Sequence, residues 1–377
     1  MSRTIEADVA FLFIGGAHQV FHLAPVAAAL SREQPDLVVT CICADEETEA
    51  ALVQVRAAMA TERLRIAQVT PPPLTMLAAR LFGRRAAGKG PLLAKLALRL
   101  RHARAIVVPE RTSAALRWLG WRRLLIHFRH GAGDRAPKSE KRLKAFDLIV
   151  VPGEKDVARA IEVQRVAPER VRSCGYVKLD YIAQTAADRP ARLFGDDRPV
   201  VLYNPHFDAA ISSLGQAQAV LAAFAAQDRY NLVFAPHVRA SEDMDEAEIA
   251  AWQALAVPGR IIVDLRSPRL IDMTYLRAAD IYLGDMSSQL YEFIARPRPV
   301  AFLNTHGVAW QNDPRHAGWH LGAVTDDPAD VVAAVDRAVA THPSRIAAQA
   351  AAVARSFGDP AGASLRGARI VADAIAA

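Results

Sequence analysis

The sequence predicts an α/β protein of two doubly wound domains, and three observations carry that expectation. Short apolar, β-branched runs alternate with alanine-rich stretches of helical spacing, the pattern of parallel sheets covered by helices on both faces. The alternation is interrupted once, by the polar, turn-rich segment 187–199, and then starts again. A chain of 377 residues is also longer than a single typical core requires.

In chain order, strand-length runs fall at 9–14, 37–43, 64–69, 105–108, 124–127 and 148–151, with a shorter one at 171–175 leading into a helix at 179–186. After the linker, strands are expected at 200–203, 231–235, 260–263, 281–283, 300–303 and 322–324. Helices are expected among them at 215–226, 245–254, 270–278, 288–296 and 329–340. Two more, 343–357 and 361–376, are separated by Gly358-Asp359-Pro360, where the chain should break. The resulting boundaries are 1–186 for the first domain, 187–357 for the second, and 358–377 for a last helix packing back on the first. Two such domains would leave a cleft between their carboxyl-edge loops, where open parallel sheets bind ligands.

Composition excludes several classes. Hydrophobic residues make up 52% and charged residues 23%, enough for large cores and too apolar for a disordered chain. Cys41, Cys43 and Cys174 lack metal-ligand spacing and are too few for a disulfide framework, so they read as small core residues in a reducing compartment. The start, Met1 to Asp8, has neither positive flank nor cleavage site, and no run reaches the ~20 apolar residues of a membrane span. A cytoplasmic location is expected, with peripheral attachment to the inner membrane face as an option. The net charge of +6 is concentrated: no acidic residue lies between Glu62 and Glu110, where Arg63, Arg65, Arg80, Arg84, Arg85, Lys89, Lys95, Arg99, Arg101 and Arg104 alternate with leucines. One or two basic amphipathic helices there fit an anionic membrane surface or an acidic lipid-linked acceptor, and fit a solvated helix face equally well. Nucleic acid is not an expected partner, because the window has no aromatic interleaving and no binding motif.

The most informative stretch runs from Ala279 to Glu292, an apolar strand passing through Asp285 into a small-residue helix start. Ser287 and Ser288, followed by Gln289, would sit where unpaired N–H groups, hydroxyls and the helix dipole favour an anion. Glu292 lies one turn on, within reach of a ribose. The same residue types are preferred helix caps, which is the plainer alternative.

Three more loops follow strand ends. Gly15-Gly16-Ala17-His18-Gln19 lacks the GxGxxG fingerprint, so nicotinamide binding is not expected, and Gly16 and His18 remain cleft candidates. The loop His127 to Arg135 holds two histidines, two arginines and two glycines; His130 is the candidate base for an acceptor hydroxyl, beside Gly131 and Arg135. Pro205-His206 and Pro236-His237 end successive strands, and His237 with Arg239 would neutralise a diphosphate leaving group in place of a divalent ion. Neither HExxH nor paired cysteines nor a GxSxG elbow occurs, so no metal, no cofactor and no serine nucleophile is expected.

This set of loops resembles the GT-B enzymes, which have two Rossmann-like domains and an interdomain cleft. More narrowly it resembles the CDP-glycerol glycerophosphotransferases of teichoic-acid-type polymer synthesis. The shared elements are His130-Gly131, the turn Gly175-Tyr176-Val177-Lys178-Leu179-Asp180, the strand end Tyr203-Asn204-Pro205-His206, Pro236-His237, and Asp285-Met286-Ser287-Ser288 with Glu292, in matching order over roughly residues 120–305. Val177 stands where that family has proline, His206 where it has threonine, and Pro236 precedes His237 where the family's proline follows its histidine. The resemblance implies an acceptor-side first domain with His130 as base and a donor-binding second domain whose His237 and serines hold the diphosphate. The cradle is also similar to that of non-hydrolysing UDP-N-acetylglucosamine 2-epimerases, whose His-x-Glu-Ala-Gly-x-Arg element occupies the place of His130 to Arg135, here without its glutamate.

The expected function is transfer of a glycerophosphate, or a sugar, from a nucleotide diphosphate donor such as CDP-glycerol to a hydroxyl of a membrane-linked glycan or lipid. The alternatives are a nucleotide-sugar 2-epimerase, a GT-B glycosyltransferase and a silent nucleotide-binding scaffold.

Overall fold

Thirteen strands form among the described residues, each within one of the expected runs or shifted by a residue or so, and every neighbouring pair is parallel. The computed structural model of the chain describes residues 4–72, 75, 89–134, 141–186 and 192–377. These fall into two compact units. The first runs to His130, resumes at 141–186 and closes with Arg355–Ala377; the second takes in Gly131 to Asp134 and the segment up to Ala354.

The sheet of the first unit contains β1 (Val9–Phe13), β2 (Val39–Cys43), β3 (Arg65–Gln68), β4 (Ala105–Val108), β5 (Leu124–Phe128), β6 (Leu148–Val151) and β7 (Val171–Ser173), in the order β3-β2-β1-β4-β5-β6-β7. Strands β1, β2, β4 and β6 are buried along their whole length and β5 in all but its first residue, as helices on both faces demand. The edge strand β3 has a half-exposed arginine at one end and glutamine at the other, so the sheet ends in polar residues. Arg65 of the basic window is therefore on a strand, and the helical part of that window among the described residues is Lys89–Arg99. Arg80, Arg84 and Arg85 lie outside the described residues. Cys41, Cys43 and Cys174 are buried and unpaired.

This first unit is not continuous in sequence. Its last helix, Ala363–Ala376, packs across Val20–Glu33 and Val177–Thr185. Asp180 fixes the helix start by accepting the N–H groups of Gly362 and Ser364, each at 2.8 Å, and Phe357 stacks on Tyr176 with ring centroids 4.0 Å apart.

The second unit repeats the plan with β8 (Val200–Asn204), β9 (Asn231–Phe234), β10 (Ile261–Val263), β11 (Ile281–Gly284), β12 (Val300–Leu303) and β13 (Ala323–Thr325), ordered β10-β9-β8-β11-β12-β13. Two helices are shorter than the spacing predicts. The expected 270–278 helix covers only Thr274–Ala278, because Pro268 starts a separate 3-10 turn and Asp272 then caps Thr274 N–H at 2.8 Å. The expected 288–296 helix stops at Phe293, since Arg296 precedes Pro297 and is disfavoured in helical conformation. No helix among the described residues is long and apolar enough to cross a membrane.

Candidate functional site

In each sheet the strand order reverses beside the first strand, between β1 and β4 in one unit and between β8 and β11 in the other. Connections leave such a strand pair toward opposite faces, and the crevice they open is where sheets of this kind bind ligands. The candidate residues cluster at these two points.

In the first unit the loop after β4 brings Glu110 under the loop after β1. A Cβ at Gly15 would overlap the Glu110 carboxylate, so glycine permits this approach. Glu110 is buried and accepts from Gln19 Nε2 (3.0 Å), Thr112 Oγ1 (3.2 Å) and the Lys89 ammonium. Burial alone would raise its titration, but Lys89, Gln19 and Thr112 together bring it below the ordinary carboxylate value. His130 stands on the neighbouring loop after β5, with ring centroids 6.2 Å from both His18 and His22. Gly16 lies beneath the His18 ring, one residue before the turn Ala17–Gln19.

His130 Nδ1 is 2.8 Å from the Pro109 carbonyl oxygen. A carbonyl only accepts, so Nδ1 carries the proton and Nε2 presents a lone pair. Burial lowers the pKa of His130; the Pro109 bond and the Glu110 charge oppose this, while Arg129 and Arg111 reinforce it, and the net direction is downward. His22 is pushed well below its usual value, first by burial and then by Lys178, His130 and His18. The ring at position 130 is thus held neutral near pH 7, the state of a base. Its neighbour in the motif behaves differently: His127 is buried in β5, 5.0 Å from the Phe146 ring centroid, and burial drives its pKa to about 3. His127 is a core residue. Arg129 is tied to buried Asp156 at 3.2 Å, which Arg159 also holds at 2.9 Å, so the start of the loop is anchored.

In the second unit Asp285, fully buried, bridges the crevice. Its Oδ2 accepts the N–H groups of His206 (2.8 Å) and Ser213 (2.9 Å), tying the loop after β8 to that after β11. Burial pushes its pKa up to about 6 against the pull of those donors. Asp285 therefore positions the loop after β8. The loop it holds and the loop after β9 together carry a compact cationic and aromatic cluster. His206 stacks on Phe207 (centroids 4.4 Å apart), His237 lies 5.7 Å from His206 and 4.8 Å from Phe207, and the Arg239 guanidinium sits 4.1 Å over the Phe207 ring. Pro205 joins the two loops through its carbonyl, which accepts His237 N–H at 2.9 Å.

The imidazoles here have the opposite proton arrangement to His130. His206 Nδ1 accepts Asp208 N–H at 3.0 Å, and His237 Nδ1 accepts Arg239 N–H at 3.2 Å. An acceptor Nδ1 places the proton on Nε2, so both rings are donors at that atom.

The serine cradle is more occupied than the sequence implies. Ser287 Oγ accepts Gln289 N–H at 3.2 Å as an N-cap, and the helix that follows has only six residues. Gly131 and Gly133 lie against Ser288: a Cβ on Gly131 would be 3.2 Å from Ser288 Oγ, and one on Gly133 would be 3.4 Å from Ser288 N. Gly131 has φ +71°, a second reason for glycine there. Asp134 clamps this strap by accepting Tyr291 O–H at 2.7 Å and Gly318 N–H at 3.0 Å. Glu292 is buried in the same unit. Arg135 lies outside the described residues. Sequence reasoning missed Glu110, His22 and Phe207. Glu110 directly follows Pro109 at a strand end, but only the sheet order shows that this loop adjoins the one after β1.

No family profile matches the chain, and no curated protein matches it in sequence. Solved structures do. A Listeria monocytogenes protein put forward as a UDP-N-acetylglucosamine 2-epimerase aligns at TM-score 0.66 with 16% identity, over 98% of this chain and 96% of that one. MnaA of S. aureus, solved with UDP, aligns at TM-score 0.64 with 15% identity over 96% and 94%. A variant of the wall teichoic acid polymerase TagF aligns at TM-score 0.62 with 13% identity over 100% and 90%. Two parallel sheets with these neighbours give the chain the GT-B fold.

Proposed function

We propose that the protein is a transferase that moves a glycerophosphate or sugar group from a nucleotide diphosphate donor, CDP-glycerol being the type, to a hydroxyl of a lipid- or glycan-linked acceptor. The observation that carries this reading is the contrasting proton placement on the histidines. His130 offers a lone pair at Nε2, whereas His206 and His237 offer protons at Nε2 beside the Arg239 cation. One arrangement takes a proton from an attacking hydroxyl. The other donates to phosphate oxygens as negative charge gathers on a departing nucleotide. Phe207 adds an aromatic face beside those donors. Arg239, which also pairs with Glu242 at 3.5 Å, brings positive charge and the two neutral imidazoles bring hydrogen bonds where a divalent ion would otherwise act, and we include metal independence in the proposal.

A second reading, a nucleotide-sugar 2-epimerase, is favoured by Glu110. Proton shuttling at a sugar carbon needs a carboxylate, and Glu110 supplies a buried one on the loop next to that of His130. It is already engaged by Lys89 and Gln19, which keeps it ionised and suits it better to orienting than to proton exchange.

The deciding experiment is a thermal-shift screen with CDP, UDP, CMP, GDP and ADP, followed by turnover of the stabilising nucleotide's donor with and without added acceptor. Nucleotide release that requires an acceptor supports the transferase. Conversion of UDP-N-acetylglucosamine without an acceptor would replace it with the epimerase, and stabilisation without any turnover would leave a binding scaffold.

A further inference from the structure

The first unit has a surface that this chemistry does not use. Leu98 is 71% exposed, Trp118 82% and Leu119 41%, large apolar side chains that a soluble protein normally covers. The fold brings them together, because helix Lys89–Arg99 packs on the 3-10 segment Arg111–Arg117 and the chain then turns at Trp118 to Gly120. Beside them is an open depression of about 500 Å³, lined by Leu98, Leu119 and Trp121 together with Arg101, Arg122 and Arg123. From Lys89 to Arg123 the sequence has nine lysines and arginines and one carboxylate, Glu110, which is buried against Lys89. Arg123 donates to the carbonyls of His102 (2.8 Å) and Ala103 (2.9 Å), and Arg117 to those of Ala145 and Trp121 and to Asp147, so the turn presenting Trp118 is braced.

We infer that this face docks on an anionic phospholipid bilayer, Trp118 and Leu98 entering the boundary between headgroups and acyl chains while Arg101 and Arg122 meet lipid phosphates. Charge complementarity selects that occupant: the patch is basic with an apolar tip, and indole side chains settle at membrane interfaces. Neither part suffices alone, since shallow apolar insertion and electrostatic attraction are each weak and add to give reversible attachment. The inference stands apart from the transferase reading, because binding is measured without nucleotide or acceptor.

The test is flotation of the full chain with vesicles of phosphatidylcholine, alone or mixed with phosphatidylglycerol. Binding is expected to the mixed vesicles only, and to weaken with added salt. Trp118→Ser should lower the partition coefficient about ten-fold, and Arg101→Glu with Arg122→Glu about 25-fold or more. These side chains are exposed, and unchanged melting curves would show that the variants fold. Equal binding to neutral vesicles, binding to neither, or variants that bind like the parent would overturn the inference. Self-association that disappears in Trp118→Ser, seen by sedimentation velocity, would assign the face to a second copy instead. A negative nucleotide screen would sink the transferase reading and leave the vesicle result untouched.

Discussion

Replacing Asp285 by Asn isolates the effect of one buried charge. In the native protein Oδ2 accepts two backbone N–H groups and Oδ1 has no hydrogen-bond partner. Burial moves the carboxyl group from its ordinary 3.8 to about 6, partly offset by the His206 N–H, by the hydroxyl and N–H of Ser213, and by His306. The folded state therefore binds this proton more tightly than the unfolded chain does, and takes one up between these two pH values. Stability from this group is greatest below pH 3.8, falls as pH rises through the window, and stays low above about 6. The drop is about 3 kcal/mol. Asparagine presents an oxygen to the same two N–H groups and cannot ionise. Urea unfolding of both proteins, followed from about pH 4 to about pH 7, should show the variant gaining on the parent by up to that amount, since titrating groups that do not interact with Asp285 cancel in the difference. Parallel stability curves would refute the reasoning, because they would mean that Asp285 ionises in place without penalty. Asp285→Ala should behave in the opposite way, orphaning the buried N–H of Ser213 at about 1–3 kcal/mol and the part-buried N–H of His206 at less, and loosening the loop that carries His206.

His130→Ala should lower turnover by ~10²–10⁴-fold while leaving nucleotide affinity unchanged by calorimetry; affinity falling in step with turnover would move His130 to the donor site. Because the pKa of His130 is lowered, the acid limb of kcat/KM should lie below pH 6.5, and a limb at or above that value would contradict its environment. His237→Ala with Arg239→Ala should weaken nucleoside diphosphate binding far more than nucleoside monophosphate binding, by about 1.5–3 kcal/mol per lost charged hydrogen bond, and equal losses for both ligands would argue against a diphosphate site. Ser287→Ala should cost about 1 kcal/mol of stability as a lost N-cap, read by thermal melting, and a larger effect on nucleotide affinity than on stability would restore the hydroxyl to a ligand role.

The alternation of buried strands with helices was legible because a parallel strand covered on both faces is a continuous apolar run, ended here by residues such as Gly15, Pro109, Pro152 and Pro205. Helix lengths were less legible: apolar spacing continues past Phe293, but Pro297 decides where the turn stops. Strand ends also located the histidine loops. What their side chains do depends on backbone carbonyls and N–H groups far away in sequence or in a local turn, as Pro109 does for His130, and residue types do not encode that. The same reason hid Glu110, whose place under the loop after β1 follows from the β1–β4 pairing. Local sequence alone aims Ser288 at a ligand, whereas the strap formed by Gly131 and Gly133 comes from more than 150 residues away.

The discontinuous first unit has a consequence for synthesis on the ribosome. Residues 4–186 supply the whole seven-stranded sheet, yet helix Ala363–Ala376 packs across both Val20–Glu33 and Val177–Thr185 of that unit. At about 5–20 residues per second, the intervening stretch takes roughly 10 to 30 s to translate, during which the second unit is free to fold while the first still exposes apolar surface on those two helices. The order of completion is thus the reverse of the order of synthesis. A nascent chain halted before residue 355 should attract chaperones through its amino-terminal half, and emergence of helix Ala363–Ala376 is the event that seals it.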